Sequence, residues 1–351
     1  MRDTRVLLLL IAMTFIACMT AALPFGWDTP QRVAAQETPP DHRLGFAAKL
    51  PEIYDQLDIV TTYGFQWMTP ANDMKMDVIG GCDGMYDFSP ADELLAVAGA
   101  LDLRVHGHTL VWHRQTSWCA DSFSKADFRR YIRTVTAHYC GRVESMDVVN
   151  EALGHETGFR GPDESVWRRL FDGTGYIETA FKWARHNCPE MRLYYNDYHI
   201  EYGPKADEML ALVDTLNEQG LIDSVGFQTH LTMESFNFER FGQTLDAVSA
   251  MGLEFALSEV DVRWKRNYWE LSGADLQAQA ERYRTVAQLC AERPACVRFT
   301  VWGLDDGHSW TNHGEFQDAA LRFDRDFQPK SAFCEGVLPV FDLPNGACAA
   351  Q

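Results

Sequence analysis

The chain has 351 residues, of which 46% are hydrophobic, and a formal net charge of −19 at pH 7. Such a length allows about two domains, but a single α/β barrel also occupies it, and the hydrophobic content is sufficient for a large core. The acidic balance would repel a phosphate backbone, and no block rich in lysine and arginine interrupts it, which argues against a nucleic-acid partner.

The N-terminal segment has the pattern of a secretory signal peptide. Arg2 and Arg5 precede an apolar run at residues 6–23, and the small-residue stretch VAAQ beyond it predicts cleavage after Ala35. We therefore expect residues 1–35 to direct secretion, to the periplasm or the extracellular medium, and residues 36–42 to form a short leader. The alternative is a retained membrane anchor, because 18 mostly apolar residues nearly suffice to span a bilayer.

Eight short runs rich in β-branched and aromatic residues alternate with longer amphipathic stretches from about residue 41 onward. We predict strands at residues 43–48, 63–69, 104–112, 144–150, 192–197, 224–230, 254–262 and 297–304. No linker, low-complexity tract or close internal repeat divides these elements. The sequence therefore predicts one domain, over residues 43–345.

Helix signals fall between the predicted strands. The starts share a serine followed by proline or, three residues later, aspartate: Ser89 with Pro90, Ser124 with Asp127, and Ser272 with Asp275. Residues 205–220 have helical spacing and end at a glycine, Gly220. Eight strands alternating with helices is typical of an α/β protein with a (β/α)8 TIM barrel. An open doubly wound sheet is the alternative, but no G-x-G-x-x-G opens its first helix.

Cysteine usage agrees with an exported protein. The cysteines outside the N-terminal segment are eight in number: Cys82, Cys119, Cys140, Cys188, Cys290, Cys296, Cys334 and Cys348. An even count favours disulfide bonds, and the short intervening loops favour Cys290 with Cys296 and Cys334 with Cys348. No C-x-x-C pair occurs, so the sequence does not support a zinc ribbon or a thioredoxin-type redox site.

Polar residues crowd the ends of the predicted strands, where the active site of a barrel lies. Two glutamates stand out, because Glu151 closes the fourth strand and Glu259 the seventh, which places them on opposite sides of an eight-stranded mouth. Cleavage of a glycosidic bond requires at least a pair of carboxyl groups. In the retaining mechanism one attacks the anomeric carbon, while the other protonates the leaving oxygen.

Five stretches, in this order, resemble the family-10 endo-1,4-β-xylanases among the glycoside hydrolases: HGHTLVWH, DVVNEA, GFQTHL, SEVDV and VWGLDDGHSW. The resemblance runs from about residue 43 to residue 335. It implies a TIM barrel that hydrolyses β-1,4-xylosidic bonds in xylan or xylo-oligosaccharides, with retention by double displacement. We also expect a monomer that needs no cofactor or metal.

The resemblance implies a role for each matching position. Glu151 would be the acid/base, Glu259 the nucleophile, and Asn150 a donor to the 2-hydroxyl of the sugar. His230 and Asp261 would support Glu259, since hydrogen bonds from a histidine held by an aspartate favour the ionised carboxylate. The expected sugar contacts are Asn72, Lys75, His108, Trp112, Gln115, Tyr198, Gln228, Trp302 and Trp310.

Four positions depart from the family pattern. Ala71 stands where a glutamate usually precedes Asn72, which removes a carboxylate expected to hold a sugar hydroxyl two units from the cleavage point. Met76 and Met146 stand where tryptophan is usual, and the adaptable methionine side chain suggests repacking. His199 stands where asparagine is common. None of these changes affects the two glutamates.

Three other functions stay open on the sequence. One is a β-1,4-glucanase or a mixed xylanase/cellulase, because glucose and xylose differ only by a hydroxymethyl group. Another is a metal-dependent TIM-barrel hydrolase with ligands drawn from His106, His108, His113, His230 and Asp261. The third is a non-catalytic carbohydrate-binding protein, which would keep the aromatic walls and lose one glutamate, whereas this chain has both.

Overall fold

A computed structural model describes residues 43–343 and Cys348. The predicted signal peptide and leader, residues 1–42, lie outside these described residues. Across residues 43–343, none of the helices is both long and apolar enough to cross a membrane.

The described part of the chain forms a sheet of ten strands, all paired in parallel. The strands are β1 Leu44–Ala48, β2 Trp67–Pro70, β3 Arg104–Gly107, β4 Val111–Trp112, β5 Ser145–Asn150, β6 Arg192–Asp197, β7 Ser224–Phe227, β8 His230–Thr232, β9 Glu254–Arg263 and β10 Cys296–Val301. Eight of them close into a barrel in the order β1-β2-β3-β5-β6-β7-β9-β10, and β10 pairs back with β1. The short β4 and β8 extend β5 and β9. The predicted TIM barrel is confirmed.

Helices follow the barrel strands. They are α1 Leu57–Thr62, α2 Met76–Ile79, α3 Ser89–Ala100, α4 Lys125–Tyr139, α5 Val166–Phe171, α6 Gly175–Asn187, α7 Pro204–Glu218, α8 Phe238–Ala250 and α9 Gly273–Ala291, with a π-helix at Ala332–Val337. The sequence of α4 shows why such segments are helical. Its buried residues Phe128, Ile132 and Val135 recur every three or four positions, so one face enters the hydrophobic core while the other stays polar.

The helix caps follow the sequence in two of three cases. Ser124 and Ser272 each accept a hydrogen bond from the backbone of the aspartate three residues on and close a capping box, as predicted. The prediction for Ser89 was wrong by one residue, because α3 begins at Ser89 itself. The Ser89 hydroxyl instead donates to Asp87 Oδ1 at 2.5 Å, which lies outside the helix.

Four predicted strands were too long, the eighth because β10 ends at Val301 rather than at residue 304. β2 begins at Trp67 rather than at residue 63, because Tyr63 ends α1 and Gly64 turns the chain with a positive φ of 65°. The predicted third strand divides into β3 and β4, and the predicted sixth into β7 and β8. β3 ends before His108, whose ring bonds to Asp147. β7 ends before Gln228, and the positive φ of 58° at Thr229 then turns the chain.

Four disulfide bonds join the eight cysteines of the described residues: Cys82–Cys119, Cys140–Cys188, Cys290–Cys296 and Cys334–Cys348. The two pairs favoured by short loops are therefore confirmed. Cys82–Cys119 ties the segment after α2 to the segment after β4, and it thereby anchors one wall of the barrel mouth.

Candidate active site

A cleft of about 580 Å³ opens where the barrel strands end. Every residue that the sequence predicted for the site lines this cleft except Asp261, which is fully buried and bonded to His230 behind the cleft surface. The predicted residues in the lining are Asn72, Lys75, His108, Trp112, Gln115, Asn150, Glu151, Tyr198, Gln228, His230, Glu259, Trp302 and Trp310. The barrel thus gathers side chains from nearly the whole length of the domain into one place.

Glu259 lies on β9 and is 5% exposed. Its Oε1 accepts a hydrogen bond from Asn196 Nδ2 at 2.7 Å, and its Oε2 lies 3.4 Å from His230 Nε2. Burial favours the neutral acid, but the hydrogen bond from His230, the fields of His108 and His230, and the Asn196 donor outweigh burial and lower the pKa of Glu259 below its ordinary value. Glu259 is therefore ionised at neutral pH.

Asp261 orients His230. Its Oδ2 lies 2.8 Å from His230 Nδ1 and also accepts a hydrogen bond from Trp310 Nε1 at 2.8 Å. Because Glu259 and Asp261 are two residues apart on one strand, both side chains project to the same side. Burial opposes the charge of His230, but Asp261 and Glu259 outweigh it and raise the pKa of His230 to about 10. His230 is thus a cation that bridges two carboxylates.

Glu151 follows directly after β5, with its backbone in the left-handed region at a φ of 54°. Its N–H donates to the carbonyl of Asn196 at 2.8 Å, which continues the pairing of β5 with β6 by one residue. The next helix, α5, begins only at Val166. Asn150 and Glu151 are therefore not a helix cap, and their side chains are turned into the cleft.

The two carboxylate oxygens of Glu151 have different surroundings. Oε1 accepts a hydrogen bond from Gln228 Nε2 at 3.0 Å. Oε2 lies 3.7 Å from Arg160 Nη2 and 3.8 Å from His113 Nδ1. The Glu151 side chain is 12% exposed, twice the 6% of the Glu259 side chain. Glu151 is thus the more accessible of the two glutamates.

Asn196 joins the two glutamates, although the sequence patterns did not identify it. It is fully buried on β6, and its Nδ2 donates to Glu259 Oε1 at 2.7 Å and to Asn150 Oδ1 at 2.9 Å. Its Oδ1 accepts from Ser258 Oγ at 2.6 Å, which sets the orientation of the amide. The signal in the sequence was its place in NDYH at a predicted strand end, where polar residues of a barrel face the site.

Arg160 and His113 also lie against Glu151, although no motif marks Arg160 and the sequence suggested His113 only as a metal ligand. Arg160 Nε donates to the carbonyl of Glu151 at 2.8 Å, and Arg160 Nη2 donates to the hydroxyl of Tyr198 at 2.9 Å. Burial, and then the positive charge of Arg160, lower the pKa of His113 to about 3. His113 is therefore neutral beside Glu151.

Polar side chains centred on Lys75 form another edge of the cleft. Lys75 Nζ donates to Asn72 Oδ1 at 3.0 Å and to Gln115 Oε1 at 2.8 Å, and it lies 4.8 Å from the centre of the Trp112 ring. Burial lowers the pKa of Lys75, although nearby carboxylates, Glu259 foremost, oppose this. Together these groups offer hydrogen bonds beside an aromatic face, which suits a sugar ring.

Trp302 and Trp310 are the aromatic walls of the cleft. The Trp302 ring packs with its centre 5.0 Å from that of His108, and the Trp310 ring lies 5.0 Å from that of His230. Trp310 is 44% exposed, although its indole N–H is bonded to Asp261. Both rings are therefore held in place from behind while the remaining surface faces the cleft.

His106 and His108 lie on either side of one carboxylate, that of Asp147. Asp147 Oδ1 lies 3.0 Å from His106 Nε2, and its Oδ2 lies 2.8 Å from His108 Nδ1. Burial lowers the pKa of His106 to about 4, which keeps this ring neutral. Over residues 43–343 and Cys348, the close group of three potential metal ligands is Cys140, Cys188 and Glu190, whose cysteines form a disulfide bond. The histidines suggested for a metal site are not in it.

Comparison with known proteins agrees with this geometry. The family model described as glycosyl hydrolase family 10 matches residues 35–338. The chain belongs to glycosyl hydrolase family 10. Endo-1,4-beta-xylanase B of Thermotoga neapolitana is 34% identical over 352 residues, which cover 95% of this chain and 96% of that protein. Beta-1,4-xylanase of Dictyoglomus thermophilum is 31% identical over 96% of this chain and 98% of its own.

Solved structures of family 10 enzymes share the fold. Xylanase 10B from Thermotoga petrophila RKU-1, in complex with xylobiose, superposes with a TM-score of 0.78 at 32% identity, over 86% of this chain and 94% of that one. The Penicillium canescens endo-1,4-beta-xylanase XylE gives a TM-score of 0.80 at 29% identity, over 88% and 97%. Both the fold and the sequence therefore identify this member of family 10 as a glycoside hydrolase.

We expect His230 to contribute stability that is lost at high pH. Its pKa is about 10 in the folded enzyme, against an ordinary value of 6.5. A raised pKa stabilises the folded state fully below about pH 6.5, and the contribution is lost as the pH rises through about 10. The difference in melting temperature between the wild type and His230→Asn, measured from about pH 6 to pH 10.5, should shrink with rising pH. A difference that stays constant would contradict a cationic His230.

Proposed function

We propose that this family 10 enzyme is an endo-1,4-β-xylanase that hydrolyses xylan and xylo-oligosaccharides with retention of configuration. The observation that carries the proposal is a pair of glutamates in unequal surroundings within one cleft. Glu259 is buried and ionised, as a nucleophile requires, while Glu151 is more accessible, as an acid/base that must exchange protons requires. The names of the bacterial relatives and the xylobiose bound to the Thermotoga petrophila enzyme support xylan as the polymer.

The first step of the proposed reaction forms a bond between a carboxylate oxygen of Glu259 and the anomeric carbon of the sugar. The bond from that carbon to the leaving oxygen breaks, and Glu151 gives its proton to the leaving oxygen. Asn196 and His230 hold the Glu259 carboxylate from two directions, so that little reorganisation is needed when it attacks.

The second step reverses the roles of the carboxyl groups. Glu151, now ionised, removes a proton from a water molecule, and the water oxygen forms a bond to the anomeric carbon. The bond from this carbon to Glu259 breaks, which restores both glutamates and releases a sugar of the original configuration. The proximity of Arg160 and Gln228 to Glu151 supports this assignment, because both groups stabilise the carboxylate formed in the first step.

The other lining residues are proposed to bind the sugar units. Asn150 accepts hydrogen bonds from Asn196 and Gln228 through its Oδ1, which aims its Nδ2 donor at the cleft beside Glu151. This orientation supports a hydrogen bond to the 2-hydroxyl. The proposed hydrogen-bonding and stacking contacts are Asn72, Lys75, His108, Trp112, Gln115, Tyr198, Gln228, Trp302 and Trp310.

Proton NMR of the first product tests the reaction and the substrate together. The enzyme is incubated with soluble xylan and, separately, with soluble cellulose, while the anomeric signals are followed from the start. We expect the β-anomer to appear first with xylan and to mutarotate later. An α-anomer formed first would reject Glu259 as a nucleophile, and a faster reaction with cellulose would favour the β-1,4-glucanase alternative, which the absent glutamate at Ala71 keeps open.

Substitution of each glutamate separates the two roles. Glu259→Ala should abolish turnover of every substrate, whereas Glu151→Ala should lower kcat on xylan by about 10²- to 10⁴-fold and much less on an aryl xylobioside with a good leaving group. Circular dichroism checks that both variants fold, and Glu239→Ala, an exposed change on α8, is the control. Equal losses for Glu151→Ala on both kinds of substrate would exclude a role in protonation.

We also propose that the enzyme is secreted, with residues 1–35 as signal peptide, residues 36–42 as leader and residues 43–345 as catalytic domain. Four disulfide bonds support an oxidising compartment. Mass spectrometry of protein expressed with its own N-terminus should find it outside the cytoplasm, beginning at Gln36. A full-length chain retained in the membrane would indicate an anchor instead. The monomeric state stays a prediction.

A further inference from the structure

Charge is distributed unevenly between the cleft and the chain as a whole. The chain has 31 lysines and arginines against 50 aspartates and glutamates. In the cleft lining the balance is reversed, since the cations Lys49, Lys75, Arg114, Arg160, Arg263 and Lys265 face only Glu52, Glu151 and Glu259. A cleft lined predominantly by one sign of charge concentrates the electrostatic potential and attracts groups of the opposite sign.

Most of these cations already have partners. Lys49 Nζ lies 2.9 Å from Glu52 Oε1, which is itself in the lining. Arg263 Nε lies 3.2 Å from Asp318 Oδ2, and Lys265 Nζ lies 3.4 Å from Glu234 Oε1. Lys75 and Arg160 are held by the hydrogen bonds to Asn72, Gln115, Glu151 and Tyr198. All five side chains are therefore bonded within the protein, Lys75 through neutral amide oxygens and the other four through carboxylates as well.

Arg114 differs from these five side chains in its contacts. Among the lysines and arginines that the structure describes in the cleft lining, it alone has neither a hydrogen bond nor an ion pair, and its side chain is exposed. Its backbone is nevertheless fixed from both sides. His113 precedes it beside Glu151, and Gln115 follows it with bonds to Lys75 and Asp77. The segment thus presents a free guanidinium group at a defined place between the acid/base and the Lys75 edge.

We propose that Arg114 recognises a carboxylate on a side branch of the polysaccharide, so that the enzyme prefers xylan with acidic substituents. A guanidinium group can bind a carboxylate through two parallel hydrogen bonds, and the contact does not require a change in the groups that bind the neutral backbone. The inference rests on the proposed xylanase function and adds a class of substrate to it. An acidic branch would supply the counter-charge that Arg114 lacks, and a local cation is needed to attract an acidic polymer to a chain of charge −19.

The test compares two forms of one polymer. One is xylan with uronic acid branches, and the other is the same preparation after chemical reduction of its carboxyl groups to hydroxymethyl groups, which keeps the branches and removes their charge. The quantity is the ratio of kcat/KM for the acidic form to kcat/KM for the reduced form, at low ionic strength. We expect a ratio of about three for the wild type, typical of one exposed ion pair, that falls toward one as salt is added.

Arg114→Gln should lower this ratio to near one. Arg129→Gln is the matched control, because Arg129 is exposed on α4 outside the cleft lining and its loss removes the same charge. The control should keep the wild-type ratio. An unchanged ratio in Arg114→Gln, or the same decrease in Arg129→Gln, would overturn the role of Arg114.

Two results distinguish a wrong role for Arg114 from a wrong proposed function. If the wild type hydrolyses both polymers with a ratio of one, the xylanase function stands and acidic recognition is rejected. If it hydrolyses neither polymer, the proposed function and the inference fall together.

Discussion

The charge of Glu259 inside the protein is the constraint on which the rest of the site depends. An ionised carboxylate withdrawn from water costs several kcal/mol unless hydrogen bonds and opposite charge compensate. Asn196 supplies a hydrogen bond and His230 supplies both a hydrogen bond and a positive charge. His230 in turn keeps its charge because Asp261 lies on its other side. Glu259, His230 and Asp261 therefore form one electrostatic unit, in which His230 lies between the two carboxylates.

This unit constrains neighbouring strands as well. Asn196 can donate to Glu259 only if its amide points the right way, and Ser258 ensures this by donating to its oxygen. The same oxygen lies where a side chain of residue 226 would begin, since a Cβ added to Gly226 would be 2.2 Å from Asn196 Oδ1. Gly226 is paired with Asn196 across β6 and β7. A glycine on one strand and a serine on another thus serve the orientation of one amide.

The sequence predicted the barrel well because alternating strands and helices carry a strong periodic signal, and it predicted the glutamates because they lie in contiguous motifs. It could not predict that β3 ends before His108 and β7 before Gln228, because the side chains of both residues bond to residues distant in the sequence. Asn196 and Arg160 were not predicted as site residues for a related reason. Their importance lies in contacts with residues distant in the chain, which closure of the barrel creates. The Cys82–Cys119 and Cys140–Cys188 bonds could not be predicted either, because loops of this length favour no particular pairing.

The cations of the cleft lining obey the same electrostatic rules as Glu259 and His230. Each cation that holds a carboxylate at short range is largely cancelled by it when seen from a distance, and salt screens the remainder within about 8 Å. Lys49 Nζ, for example, lies 2.9 Å from Glu52 Oε1 in the same cleft lining. The electrostatic field that an approaching polymer meets therefore depends most on a cation that has no ion-pair partner within the protein. Among the described residues of the cleft lining that cation is Arg114, so a substitution there can change the proposed preference for charged branches without disturbing the contacts of Glu259.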